Sequence, residues 1–248
     1  MLERYRDSLR KEQHVIEAAR KRAQEYPASK ERWDVNVAAI TISGTTATGK
    51  TTISVVLGEI YKIPEDRNIK VGQIIREIQG KKEEEGYIER PIDLDREVDG
   101  LQKEILTHEA SLEKPFIIEG RLAGVIAEEE KSKNPNLSIV SILLTASNET
   151  IKKRVRERNP QLSDIQIHDL VADRSMRDMK RWVELHPQLR NSGPYDPNRY
   201  DIVINTDNKS VEKVFRDIHE KLKRRNLIRR MVDAAQPKFP DQGQIFPN

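Results

Sequence analysis

The chain has 248 residues with 44 Lys+Arg against 41 Asp+Glu, a formal charge of +3, so net charge alone imposes no attraction to nucleic acid or to an acidic membrane. At 28.7 kDa and a mean hydropathy of −0.74 it has room for one large domain, or a core domain with appendages, whose apolar residues must be gathered into a few strands and helices. With no cysteine there are no disulfides, thiolate nucleophiles or cysteine-bound zinc; Met1–Arg20 holds no apolar core of roughly 7–15 residues and no run spans a bilayer, so a soluble, cytoplasmic protein is expected.

Residues 3–25 are rich in helix formers, with Leu2, Tyr5, Leu9, Ile16 and Ala19 as a thin apolar stripe that ends at Tyr26-Pro27. Val35 to Ser43 is a β-branched run that predicts a buried strand, and a Gly-rich turn and a helix from Thr51 to Tyr61 follow it. Further strands are predicted at Pro115–Glu119, Leu137–Thr145 and Asp201–Asn205, separated by helices over 72–80, 93–110, 121–130, 148–158, 163–185 and 209–224. Strands alternating with helices predict an α/β three-layer domain, about 35–224, around a parallel sheet of about five strands. Residues 190–199 read as loop and Gln236–Asn248 as a tail. The expected organisation is an N-terminal helical extension (1–34), the α/β domain, and a C-terminal tail (225–248).

Gly44-Thr45-Thr46-Ala47-Thr48-Gly49-Lys50-Thr51 is a complete Gly-x-x-x-x-Gly-Lys-Thr between a predicted strand and a predicted helix, the context that a phosphate-binding loop requires. Its glycines let successive amides and the helix N-terminus face a β-phosphate, Lys50 adds a mobile positive charge, and Thr51 offers a hydroxyl to Mg²⁺. The residues expected to hold the nucleotide are Gly44, Thr45, Thr46, Ala47, Thr48, Gly49, Lys50, Thr51 and Thr52. The motif indicates a nucleoside triphosphate and leaves GTPase, motor, transporter and small-molecule kinase open.

Arginines narrow the choice. Gly72-Gln73-Ile74-Ile75-Arg76, Asp95-Arg96-Glu97-Val98-Asp99-Gly100-Leu101-Gln102, Glu119-Gly120-Arg121-Leu122-Ala123-Gly124, and Arg174 with Arg181 two helical turns on, supply scattered guanidinium groups. With these segments the chain resembles the cytidylate kinase family of P-loop nucleoside monophosphate kinases, most closely its archaeal-type branch, from about Val37 to Leu222. The resemblance implies transfer of the γ-phosphoryl of ATP to a nucleoside monophosphate with Mg²⁺ between the phosphates, an acceptor region near 72–110 and a lid near 155–185. It matches Arg76 to the arginine gripping the acceptor phosphate and Arg96 and Arg121 to two further substrate-side arginines. Arg174 and Arg181 match lid arginines that approach the transferring group, and Arg154 and Arg158 a pair near the donor nucleotide. Asp99 and Glu119 take acidic family positions, where they orient an arginine, the ribose or hydrated Mg²⁺. Lys50, Arg121, Arg174 and Arg181 are the expected catalytic set, and Thr51 the expected metal contact. An acceptor phosphate is already anionic near neutral pH, so positioning and charge neutralisation suffice without a dedicated base.

Leu122 stands where bacterial-type members carry aspartate, and Val71 where they carry a hydroxyl, so these positions do not select the base: CMP or dCMP is what the resemblance implies as default, with UMP, another deoxynucleotide or a non-nucleotide acceptor left open. A nucleotide-gated regulatory protein, or a kinase of another small metabolite such as shikimate, are the alternatives. Trp182 is read as core or hinge packing. His14, His108, His168, His186 and His219 show no metal-binding spacing. The basic run Lys221–Arg225 with Arg229-Arg230 is read as a helix C-terminus favoured by its dipole, the sharper alternative being a nucleic-acid contact. The expected partner is a small-molecule nucleotide, with neither membrane nor nucleic acid expected.

Overall fold

The computed structural model describes residues 13–78, 92–109 and 114–231. The start of the predicted N-terminal helix, part of the expected acceptor region and the predicted tail at 236–248 lie outside the described residues.

The described residues form seven strands and eight α-helices, in the order α1 (Gln13–Glu25), β1 (Arg32–Val35), β2 (Ala39–Ser43), α2 (Lys50–Tyr61), β3 (Asn68–Lys70), α3 (Val71–Ile78), α4 (Ile92–Glu109), β4 (Phe116–Glu119), α5 (Ala123–Lys133), β5 (Ile139–Thr145), α6 (Asn148–Arg158), α7 (Asp164–Leu185), β6 (Ile202–Asn205), α8 (Val211–Arg224) and β7 (Ile228–Met231). Five of the strands form one sheet in the order β3-β4-β2-β5-β6, and every neighbour is parallel. The expected α/β fold and strand number are therefore present. The order reverses direction at β2, and in such sheets ligands bind beyond the carboxyl ends of the strands at the switch point.

Side-chain alternation assigns the two faces. Ile40 and Ile42 of β2, Ile117 of β4 and Ile142 of β5 turn toward α1, α2 and α8; Ala39, Phe116, Ile118 and Ile139 turn toward α3, α4, α5 and the end of α7. Helix starts follow the sequence: Ser147, Ser163 and Ser210 each cap a helix through the side-chain oxygen, and Ser163 with Gln166 completes a capping box at α7.

The predicted continuous strand over 35–43 is two strands. β1 leaves the sheet and pairs antiparallel with β7, Arg32 opposite Met231 and Val35 opposite Ile228, while Asn36 N–H donates to Leu227 O at 2.8 Å and Ala38 N–H to Ser138 O at 2.8 Å. No Gly or Pro marks this switch, so apolar composition alone merged the two. The short β3 and β7 are likewise found only in the fold.

Both ends of the described chain therefore meet in one place. Ile16, Ala19 and Ala23 share one face of α1 and join the main apolar cluster with Trp33 of β1 and Ile228 of β7. Tyr26 stacks on Phe215 with ring centroids 5.6 Å apart, and Trp33 meets His219 edge-on at 4.4 Å. The Tyr61 hydroxyl lies 3.1 Å from His219 Nδ1, and burial first of all lowers the His219 pKa. No helix among the described residues is long and apolar enough to cross a membrane.

Candidate active site

Backbone shape comes before chemistry at the end of β2. Gly44 has φ +151, and a Cβ there would lie 2.4 Å from the Leu144 carbonyl oxygen. Gly49, at φ +92, begins α2 with a left-handed residue. Glycine is the residue that takes such conformations without a steric cost. The chain between them curls tightly: Thr48 Oγ1 donates to Thr45 O at 2.9 Å, and Lys50 Nζ donates to the same carbonyl at 2.8 Å. Lys50 is thus folded onto the loop whose ligand it is expected to meet.

The neighbouring strand β4 delivers the next groups. Thr51 Oγ1 donates to Glu119 Oε1 at 2.8 Å, which puts a hydroxyl and a carboxylate side by side at the mouth of the loop. Mg²⁺ takes hard oxygen ligands and usually keeps one or two protein contacts beside phosphate and water. The Thr51–Glu119 pair fits that donor set; among the described residues no group of three or more His, Cys, Asp or Glu is arranged to hold a metal by itself.

Arg121 follows directly, because Gly120 N–H donates to Ile42 O at 3.1 Å and aligns the turn with β2. Its guanidinium donates to Thr46 Oγ1 of the loop at 2.6 Å, lies 5.8 Å over the Trp182 ring and pairs with Asp178. Asp178 is completely buried and also takes Arg181 at 2.5 Å, while Arg181 Nε donates to Asp95 at 2.6 Å. One chain of ions therefore links the loop through the β4–α5 turn and α7 to α4. Trp182, buried as expected, serves as packing and as a cation–π platform for Arg121.

Other expected residues occupy distinct places. Arg154 spans α6 to the loop, donating to Ala47 O at 3.1 Å and to Thr206 O at 2.8 Å; burial, with the nearby Arg158 charge adding to it, lowers its pKa while Asp207 opposes. Arg158 itself is exposed in the last turn of α6. Arg76 is half-buried on α3, and its guanidinium lies beside Gly72. Arg174 sits on α7 two turns before Arg181. Arg96 is held at the surface by Asp93 at 2.7 Å.

Asp99 is buried and bonded to His186 Nε2 at 2.8 Å, while His186 Nδ1 lies 2.5 Å from Glu129. Burial of His186 disfavours its charge, but the hydrogen bonds to Asp99 and Glu129 outweigh it and raise the pKa to about 9. Glu129 is lowered to about 2: burial pushes it up, and bonds from His186 and Lys103 more than reverse that. Sequence reading missed His186, Glu129, Asp95 and Asp178. A signal for Asp178 exists, since Arg174, Asp178 and Arg181 fall at i, i+4 and i+7 on one helix face; His186 carries none, its partners being 87 and 57 positions away.

The AAA domain family matches residues 40–182. A cytidylate kinase of Pyrococcus horikoshii is 33% identical over 181 residues, 71% of this chain and 83% of its own length. One from Methanococcus vannielii is 31% identical over 74% of this chain and 99% of its own. Among solved structures, a gluconokinase from Sinorhizobium meliloti 1021 shares the fold with a TM-score of 0.52 at 14% identity, covering 78% of this chain and 97% of its own.

Proposed function

The chain belongs to the cytidylate kinase family, and from that premise we propose that it transfers the γ-phosphoryl group of ATP to a nucleoside monophosphate, CMP or dCMP, giving ADP and the nucleoside diphosphate. The observation that carries this reading is the meeting of Lys50 and Thr51 with Arg121 at one end of the sheet, with Arg181 joined to them through Asp178. A nucleotide switch needs the loop; it has no use for a buried carboxylate presenting two arginines to it.

In this reading the loop amides and Lys50 hold the donor phosphates, and Arg154 ties α6 to the loop beside the donor. Thr51 and Glu119 would hold Mg²⁺, whose chemistry is to neutralise charge on the phosphate oxygens. Arg76 and Arg121 grip the acceptor phosphate, bidentate geometry suiting guanidinium to phosphate. Arg174 and Arg181 act from the lid, about 155–185, against charge that develops on the transferring group. Arg96 and Asp99 complete the acceptor side; Arg96 does so by exchanging Asp93 for phosphate. The catalytic unit is 35–224, and the segments 1–34 and 225–248 are additions to it.

The test is coupled ADP release from ATP and Mg²⁺ with CMP, dCMP, UMP, dUMP, AMP, GMP and shikimate, and with Arg121→Ala beside the native chain. Turnover with CMP or dCMP that Arg121→Ala abolishes supports the reading. ATP binding without turnover on any acceptor overturns it in favour of a regulatory protein, and turnover on shikimate alone in favour of another metabolite kinase.

A further inference from the structure

Residues 221–230 carry six Lys or Arg and no acidic side chain, and the fold brings them to a single corner. There α8 ends, the chain reverses through Asn226 at φ 57, Leu227 N–H donates back to Leu222 O at 3.0 Å, and β7 runs along β1. Lys221, Lys223, Arg224, Arg225, Arg229 and Arg230 are all exposed. Three of them make long surface ion pairs, Arg229 with Asp34 at 3.3 Å, Arg230 with Glu31 at 3.2 Å and Lys223 with Glu220 at 3.7 Å, a type of contact worth about 0–1 kcal/mol. Among the described residues Arg224 and Arg225 have no acidic partner. The dipole at the end of α8, equivalent to roughly half a negative charge, is outweighed several times over.

These cations cannot serve the nucleotide site. β1 feeds through 36–38 into the beginning of β2, and Asn36 N–H donates to Leu227 O just before β7, so the ribbon and the end of α8 lie at the amino edge of the sheet, while Lys221 reaches across to the Val203 carbonyl of the edge strand β6. The phosphate loop, Glu119 and Arg121 lie at the carboxyl edge, about 20 Å away along β5 at roughly 3.3 Å per residue. The family match spans 40–182 and so leaves out β1, the end of α8 and β7. The platform is firm, because Trp33 and Ile228 root the two strands in the main core.

We propose that this corner is a docking surface for the phosphodiester backbone of a nucleic acid, bound without regard to sequence. Four of its six cations are arginines, whose planar fork matches phosphate oxygens. The one aromatic ring of the ribbon, Trp33, is buried against His219 rather than offered to a base, so the contact reads charge and not sequence. A lipid surface is less suited, since the only large exposed apolar side chain among the described residues of the corner is Met231 and stable anchoring needs a second, apolar signal.

The experiment is fluorescence anisotropy of the full chain with labelled RNA and DNA single strands of about 20 nucleotides and a DNA duplex of similar length, across a salt series. Binding is expected to weaken with salt, and Lys223→Ala/Arg224→Ala/Arg225→Ala is expected to weaken it at least tenfold at low salt and to flatten the log–log salt slope for single strands by about 2. These residues lie at an exposed helix end, so the melting temperature stays unchanged; Arg229→Ala/Arg230→Ala is a second, independent reduction. Excess ATP with Mg²⁺ does not displace the oligonucleotide, which separates this surface from the kinase site whatever the acceptor proves to be. Absence of binding at tens of micromolar, binding that the triple variant leaves intact, displacement by ATP, or capture by phosphatidylserine vesicles without oligonucleotide binding would each overturn the proposal. Preference between the RNA and DNA arms identifies the source of the backbone.

Discussion

On one face of the sheet α1, α2, α8 and the β1–β7 ribbon meet through Ile16, Leu57, Phe215 and Trp33; on the other, α4, α5 and α7 also share buried ions, Asp95–Arg181–Asp178–Arg121 and Asp99–His186–Glu129. Apolar contact is non-directional and carries no titratable group. Buried ion pairs are directional and costly to break, and they exchange one anion for another. The helix that follows the Gly-rich loop is rooted in the first face, and Arg121 and Arg181 in the second. In the proposed function a donor loop is thereby set against acceptor-side arginines that carboxylates hold until a phosphate arrives.

The largest expected effect strikes where the faces meet. Lys50→Ala should lower turnover about 10³-fold, as loss of a preorganised charge at a transferring phosphoryl does, with an unchanged melting curve; turnover within tenfold of native would remove the loop from the chemistry. On the apolar face, Phe215→Ala should cost about 3–4 kcal/mol through lost contact and a residual cavity, seen as a fall of about 10 °C in Tm, equally at pH 6 and 9.

On the charged face, His186→Gln should cost about 3 kcal/mol, since it strips the charged partner from buried Asp99. Its signature is pH. His186 titrates near 6.5 unfolded and at about 9 folded, so its stabilisation is complete below about pH 6.5 and lost as pH rises through about 9. Native Tm should fall over that window and the variant's should not; parallel curves would show that the histidine is not held charged. Smallest is Ser163→Ala, which removes the capping box of α7 and should cost about 1 kcal/mol in denaturant unfolding, with little effect on either face.

The sequence by itself determined the sheet's long strands, the helices between them and the phosphate loop. Each of these is encoded locally: β-branched runs, apolar periodicity, serine caps and the Gly-x-x-x-x-Gly-Lys-Thr string need no distant partner to be read. Arg121 and Arg154 stood out in the sequence as candidates, but the contacts that place them did not, Thr46 and Asp178 for one and Ala47 and Thr206 for the other. Only the tertiary structure decided that 35–43 splits between a ribbon and a sheet, because pairing partners distant in sequence choose between two equally apolar strands. It alone decided that both ends of the described chain close on one another, that Asp99 answers to His186, and that a basic helix end and a basic strand form one corner. Charges separated by many positions become neighbours only when the chain is folded, and burial then sets what each is worth.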